Sequence, residues 1–323
     1  MALSIVFMGT PEFAVPTLEA LAADDSFDVL AVVTQPDRPF GRKRQLKASP
    51  VKEAASKLGL PVLQPEKISG SDEMAKIIEL APDFIVTAAF GQFLPEKLLH
   101  AAKYGAVNAH ASLLPKYRGG APVHYAIMNG DQETGVSLMY MVKKMDAGDV
   151  LAVVKVPITK DDNVGTMFTK LGQAAVHLVT DNLPKIAKGE LKGTAQNPDD
   201  VTFSPNIARD QQILHFDRET AQEIDWHIRG LYPTHPAHAV AAGQTVKFIK
   251  VAPLQEKTDA KPGVITQKDK KHLHLAAADG SQLAVLEIQP AGKAAMPIAA
   301  FLNGAGQHLA VGDAWIDLGE ADA

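Results

Sequence analysis

The sequence predicts an α/β fold, a doubly wound, mostly parallel sheet followed by a smaller β-rich domain. Three observations carry that reading. Short apolar runs alternate with helix signals through the first half of the 323-residue chain, as βαβ units require. Residues 190–207 hold Gly, Pro, Asn and Asp without periodicity and read as a linker. Beyond them short strand-like runs recur, the last two separated by Asp279-Gly280, a strong hairpin signal. The length suits two domains of roughly 100–200 residues each, expected at 1–189 and 208–323. The second reads as a small barrel.

Residues 3–8 form an apolar run ending at Gly9, the mark of a buried parallel strand. A helix is expected within 10–23, with Thr10 as cap and Pro11 in the first turn. Pro16 would delay its regular part. Residues 29–34 read as the second strand, and 50–58 as a helix capped by Ser49 and stopped by Gly59. A helix at 71–80, strands at 84–89 and 107–110, and a helix at 121–128 continue the alternation. Strands at 136–142 and 150–158 and a long helix at 164–188 complete the first domain. After the linker come a helix at 220–231 and strands at 246–251, 263–267, 272–277 and 283–288.

Composition removes several classes of function. Cysteine is absent, which excludes disulfides, Cys-zinc sites and thiol catalysis. Hydrophobic and charged shares of 46% and 21% exclude wholesale disorder. The apolar runs are shorter than ten residues, whereas a membrane span needs roughly 18–20. The N-terminus has neither a basic start nor a cleavage site, so a cytoplasmic protein is expected. A net charge of -5 argues against a generally basic coat for nucleic acid. One segment departs from that balance. Arg38, Arg42, Lys43, Arg44, Lys47 and Lys52 place six positive charges within fifteen residues and no acid among them. Between a strand and a helix this reads as a long surface loop, and such loops are often functional. A phosphate-rich partner would explain the charge; a plain solvated loop would also fit.

The strand-to-helix turn Gly9-Thr10-Pro11-Glu12-Phe13 is not a G-x-G-x-x-G loop, and no G-x-x-x-x-G-K-[ST] loop occurs. More informative is Asn108-Ala109-His110. Alternate residues of a strand share a face, and these lie near the C-terminal end of a parallel strand, where open α/β sheets bind ligands. An Asn amide can donate to a developing oxyanion, and a His can add a donor or move a proton. The same spacing suits a structural pair that ties down a loop. Asp146, in Met145-Asp146-Ala147-Gly148-Asp149, could orient such a His, or simply form a turn. His235 and His238 flank Pro236, but no carboxylate or Cys completes a metal set, so no metal is expected.

Several stretches resemble the 10-formyltetrahydrofolate-dependent formyltransferases, and among them the methionyl-tRNA formyltransferase family. They are Met8-Gly9-Thr10-Pro11-Glu12-Phe13-Ala14-Val15-Pro16, Thr34-Gln35-Pro36-Asp37-Arg38-Pro39 and Ser49-Pro50-Val51-Lys52. The central block, from Val107-Asn108-Ala109-His110 through Ser112-Leu113-Leu114-Pro115 to Gly119-Gly120-Ala121-Pro122, is the most specific. Met145 to Asp149 and Gln289-Pro290-Ala291-Gly292-Lys293 fit as well. The resemblance implies a Rossmann-like catalytic domain with the formyltransferase fold and an OB-like C-terminal barrel that binds tRNA. It implies Asn108, His110 and Asp146 as the catalytic trio. It places folate contacts on Ser112, Leu113, Leu114 and Pro115, with Phe90 and Leu94 walling the pterin pocket. It places the acceptor-stem contacts on Arg42, Lys43, Arg44 and Lys47. The implied reaction transfers a formyl group from 10-formyltetrahydrofolate, the formyl-donor co-substrate, to initiator methionyl-tRNA, without a metal, in a bacterial cytoplasm and as a monomer.

Two features depart from the family pattern. Lys43 stands where a glycine is familiar, and residues 208–323 carry 11 basic against 14 acidic residues. Formyltransferases acting on glycinamide ribonucleotide or an amino sugar nucleotide, or a folate hydrolase, would share the trio. The basic loop and, for the glycinamide enzyme, the second domain argue against the first two; the hydrolase would deliver the formyl group to water and need no amine pocket. A non-enzymatic RNA-binding protein would leave the Asn108/His110 block unexplained.

Overall fold

The computed structural model describes residues 2–40 and 45–318. They fall into two compact units. One comprises Met1–Pro122, Glu133–Pro157 and Met167–Pro205; the other comprises Val123–Gln132, Ile158–Thr166 and Asn206–Ala323.

The first unit is built on strands β1 (Leu3–Gly9), β2 (Phe27–Val33), β5 (Val62–Leu63), β6 (Phe84–Ala88), β7 (Ala106–His110), β8 (Glu133–Tyr140) and β9 (Val150–Pro157). Their order in the sheet is β5-β2-β1-β6-β7-β8-β9. The strands from β5 to β7 pair in parallel, so the order reverses between β1 and β6, as in a doubly wound sheet. The strands β8 and β9 add antiparallel pairs. Their connection is too short for a crossover helix, which a parallel pair would need. Every residue of β6 is buried, whereas β9 alternates at the sheet edge.

Local chemistry explains the helices. Between β1 and β2 the chain makes a 3-10 turn at Glu12–Ala14 before α1 (Val15–Ala23). Pro16 therefore lies in the first turn, where no amide hydrogen is needed. The Ser49 hydroxyl accepts from the Lys52 amide at 3.0 Å and caps α2 (Pro50–Lys57). Ser71 does the same for Met74 at the start of α3 (Asp72–Leu80). A short α4 (Glu96–Leu99) precedes β7. The helix expected over 164–188 is two helices, α6 (Val164–Thr180) and α7 (Leu183–Ala187). The Asn182 amide donates to the Leu178 carbonyl at 2.8 Å, and Pro184 opens the second helix. Residues 190–205 belong to the first unit. Thr194 bridges Val150, Phe203 pairs beside Arg118, and Ser204 is fully buried.

The basic segment differs from the expected featureless loop. Strands β3 (Arg38–Phe40) and β4 (Gln45–Lys47) pair antiparallel. The three residues of β4 are all exposed, so that strand has no buried face and leaves no periodicity to read. Arg42, Lys43 and Arg44 lie outside the described residues.

The second unit includes α5 (Pro122–Met128), apart from Pro122, and α8 (Ala221–Leu231). A reciprocal Thr220–Glu223 capping box starts α8. Strands β10 (His238–Ala241), β11 (Gln244–Leu254), β12 (Ile265–Lys268), β13 (Leu273–Ala276), β14 (Gln282–Pro290) and β15 (Met296–Pro297) form an antiparallel sheet, with α9 (Ile298–Leu302) after it. Its order is β10-β11-β14-β13-β12. Ala241 bridges Ile316 and Val264 bridges Ala314. One C-terminal segment thus joins both edges and closes the sheet into a barrel, which removes its open edges. Asp279 and Gly280 both take positive φ, as the predicted hairpin needs. The barrel core centres on Phe248, whose ring lies 5.7 Å from Phe216 and 6.2 Å from Trp315.

His124 on α5 is buried in this unit, with the His235 ring 5.7 Å away. Burial, and then the neighbouring imidazole, hold its pKa down at about 4. The unfolded chain takes up this proton near its ordinary value of about 6.5, before the folded chain does. Stability is therefore complete above that value and falls as pH drops toward 4. The expected loss at pH 5 is about 2 kcal/mol. Urea unfolding of His124→Gln, compared at pH 7 and pH 5, should show this part of the slope removed.

Candidate active site

The site is assembled at the C-terminal end of β7. Asn108 and His110 sit two residues apart on that strand and share a face. Asn108 pairs with Thr87 of β6 in the parallel ladder. The Thr87 hydroxyl donates to Asn108 Oδ1 at 2.7 Å. With its carbonyl oxygen held in this way, the Asn108 amide presents its NH₂ donors on the other side.

His110 is only 7% exposed. Its Nε2 lies 3.0 Å from the Tyr117 carbonyl, which can only accept, so Nε2 carries the hydrogen and donates. That leaves Nδ1 toward Asp146, whose Oδ2 is 3.8 Å away. The same carboxylate oxygen accepts from the Gly119 amide at 2.8 Å. Asp146 comes from the turn between β8 and β9, and the tertiary fold brings it to His110. Tyr117 and Asp146 both adopt left-handed backbone conformations, with φ of 59° and 50°. Such geometry costs energy and collects where a fold holds functional groups. At Gly119, φ is +127° and a Cβ would stand 2.5 Å from the Ser204 carbonyl. Only glycine fits there.

The remaining predicted residues take distinct places. Ser112 and Leu114 are buried, while Leu113 and Pro115 are half-buried. The Ser112 hydroxyl donates to the Lys116 carbonyl at 2.7 Å. Ser137 of β8 pins this run: its hydroxyl accepts from the Leu114 amide at 3.0 Å and donates to the Ser112 carbonyl at 2.7 Å. Gly135 makes room for Leu113, whose Cδ2 would lie 2.5 Å from an added Cβ. Phe90 and Leu94 are buried in a core cluster with Val6, Met8, Ile85 and Leu98. The Phe90 carbonyl accepts from the Thr10 hydroxyl at 3.0 Å and the Gln35 amide at 3.2 Å. Between them, Phe93 is 73% exposed and is the side chain this loop offers to solvent. Lys47 stands exposed at the end of β4. At the base of the basic segment, Arg38 pairs with Glu66 and Lys52 with Asp37, each at 2.7 Å.

Thr87, Tyr117, Arg118 and Gln196 complete the surroundings of the trio, and sequence reasoning did not single them out. The period-2 pattern of a buried strand could have flagged Thr87 as a polar residue in an apolar run. The others sit in irregular segments with no period to read. Among the described residues no group of three His, Cys, Asp or Glu could hold a metal ion. Nor is any described helix long and apolar enough to cross a membrane.

Residues 3–183 match the formyl transferase family, and residues 206–306 its C-terminal domain. The methionyl-tRNA formyltransferase of Enterococcus faecalis is 55% identical over 309 residues, covering 96% of this chain and 98% of that protein. The enzyme of that name from Lactiplantibacillus plantarum is 55% identical over 311 residues, with the same coverage. Among solved structures, the sugar 3N-formyl transferase WlaRD, in the presence of dTDP and 5-N-formyl-THF, superposes with a TM-score of 0.67 at 17% identity. It covers 91% of this chain and 100% of that one. HypX from Aquifex aeolicus gives 0.62 at 17% identity; 96% of this chain spans half of that longer protein. At such identities the likeness is one of fold. The two family matches and the near full-length identity to curated relatives place the chain in the formyltransferase family, among the methionyl-tRNA formyltransferases.

Proposed function

We infer that this chain transfers the formyl group of 10-formyltetrahydrofolate to the α-amino group of methionine on initiator methionyl-tRNA. The observation that carries the reading is the 55% identity to methionyl-tRNA formyltransferases along nearly the whole chain. The facing of His110 by Asp146, and the place of Asn108 on the same face of β7 as His110, support the reading with matching chemistry.

The attacking amine must be neutral, and α-amines titrate near 7.7–8.0. Its attack on the formyl carbon puts negative charge on the former formyl oxygen. The Asn108 NH₂ is oriented to donate to that oxygen. His110 has given Nε2–H to Tyr117, so its neutral ring offers a lone pair at Nδ1 rather than a donor. Nδ1 accordingly accepts the proton that the amine loses, and the Asp146 carboxylate stabilises the imidazolium. The proton then passes to the folate nitrogen as its bond to the formyl carbon breaks, leaving tetrahydrofolate and N-formylmethionyl-tRNA. Leu113 and Pro115 are the members of their run with surface to offer folate, and Phe93 extends the wall begun by Phe90 and Leu94. No metal takes part in this scheme.

The first unit carries the chemistry in this reading, and the barrel adds tRNA contacts. A monomer in the bacterial cytoplasm suits an enzyme that embraces tRNA. Arg42, Lys43, Arg44 and Lys47 contact phosphates and position the acceptor end rather than specify it. Neutralising Arg42, Lys43 and Arg44 together should raise the tRNA KM and flatten its salt dependence. Each phosphate no longer neutralised should reduce the slope by about 0.7–0.9 log units per log unit of salt. An unchanged salt slope would remove the loop from the interface. The reading as a whole is tested by formyl transfer from 10-formyltetrahydrofolate to methionyl-tRNA. If folate is consumed but tRNA gains no formyl group, the acceptor is a small amine or water.

A further inference from the structure

Arg118 is a buried charge, and no ion pair to a carboxylate is found for it among the described residues. It is 5% exposed, and its guanidinium donates through both Nε and Nη2 to one neutral oxygen, Gln196 Oε1, at 3.0 and 2.7 Å. Arginines this buried are ordinarily matched to a carboxylate. Here the arginine instead fixes one end of an amide. The other end, Gln196 Nε2, donates to the backbone carbonyls of Asp146 at 2.8 Å and Gly148 at 2.7 Å. All four hydrogen-bonding positions of the Gln196 side chain are therefore filled. The arginine sets which way round the amide lies, so its NH₂ always faces the turn that carries Asp146.

The turn needs such support. Asp146 is held at φ +50°, which costs a non-glycine residue energy unless its surroundings impose it. The segment bearing Gln196 runs directly alongside: Thr194 and Val150 exchange backbone hydrogen bonds at 2.8 and 2.9 Å, and a Cβ on Gly193 would meet Asp149 Cβ at 2.6 Å. Arg118 follows Tyr117, the residue that holds His110 Nε2. One pair of side chains thus links the segment holding one side of His110 to the turn presenting Asp146 on the other.

We propose that Gln196, clamped by Arg118, is a positioning residue that sets the Asp146 carboxylate against His110 Nδ1. The proposal rests on the catalytic reading given above. A carboxylate misplaced by about 1 Å can cost about 10²-fold in rate, so loss of the clamp should appear in kcat and leave both KM values nearly unchanged.

Gln196→Glu separates positioning from stability. A carboxylate keeps, and strengthens, the contact with Arg118. It cannot donate to the Asp146 and Gly148 carbonyls, and would repel them. We expect a kcat lowered roughly 10- to 100-fold, with the ion pair to Arg118 offsetting part of the stability lost with the two carbonyl hydrogen bonds. Gln196→Ala should show a similar loss of kcat. In an Asp146→Asn background, Gln196→Ala should cost less than about threefold more, because residues acting through one another are not additive. A near wild-type kcat for Gln196→Glu would overturn the proposal. So would full additivity of Gln196→Ala with Asp146→Asn, which would mean that Gln196 acts elsewhere. The catalytic reading fails separately, if wild-type protein does not formylate methionyl-tRNA or if Asp146→Asn retains full kcat.

Discussion

His110→Ala should lower single-turnover formyl transfer by about 10²–10⁴-fold, the range typical of a positioned proton carrier. The argument is stereochemical. The Tyr117 carbonyl holds Nε2–H, so only Nδ1 can take a proton, and Asp146 is the charge that faces it. Alanine removes the acceptor and leaves the Asp146 carboxylate without the cation it would stabilise. Binding of methionyl-tRNA should change little, because His110 is buried and distant in sequence from the basic segment. Measured by rapid mixing with excess enzyme, a loss confined to KM would contradict the assignment. Added imidazole should restore part of the rate if the cavity left by the ring admits it.

Asn108→Ala should cost about 10²–10³-fold in kcat, the loss found when one oxyanion donor is removed. Asn108→Asp should be at least as poor, since a carboxylate has no hydrogen to give and adds charge of the wrong sign. The discriminating variant is Thr87→Val. Its hydroxyl holds Asn108 Oδ1 at 2.7 Å, and valine keeps the shape while freeing the amide to turn. An intermediate loss in kcat is expected, with stability changed modestly. If Thr87→Val matches the wild type while Asn108→Ala does not, the amide is oriented by substrate and not by the sheet. Steady-state kinetics with both substrates varied would separate these outcomes.

Much of the scaffold for this site was legible in the chain. The apolar stretches at the centres of β1, β2 and β6 are largely buried, and that leaves a near-continuous hydrophobic signal. Ser49 and Gly59 bracket α2, and Asp279-Gly280 turns β13 into β14, because caps and tight turns are decided by residues within a few positions of one another. Asn108 and His110 share a face for the same reason: a strand repeats every two residues wherever it lies. The central block also carried a family resemblance that the near full-length matches bear out.

What the chain left open involves partners far apart in sequence. Asp146 reaches His110 across a separation of 36 residues, through the antiparallel addition of β8 and β9 to a parallel sheet. Gln196 meets that turn from 50 residues away, out of a segment with no periodicity. The assignment of α5 to the second unit depends on which core its apolar face finds, and periodicity reports only that such a face exists. Hydrophobic patterning encodes burial and local geometry encodes turns. The choice of which buried surfaces meet, and so which polar groups converge on His110, is made by packing over the whole unit.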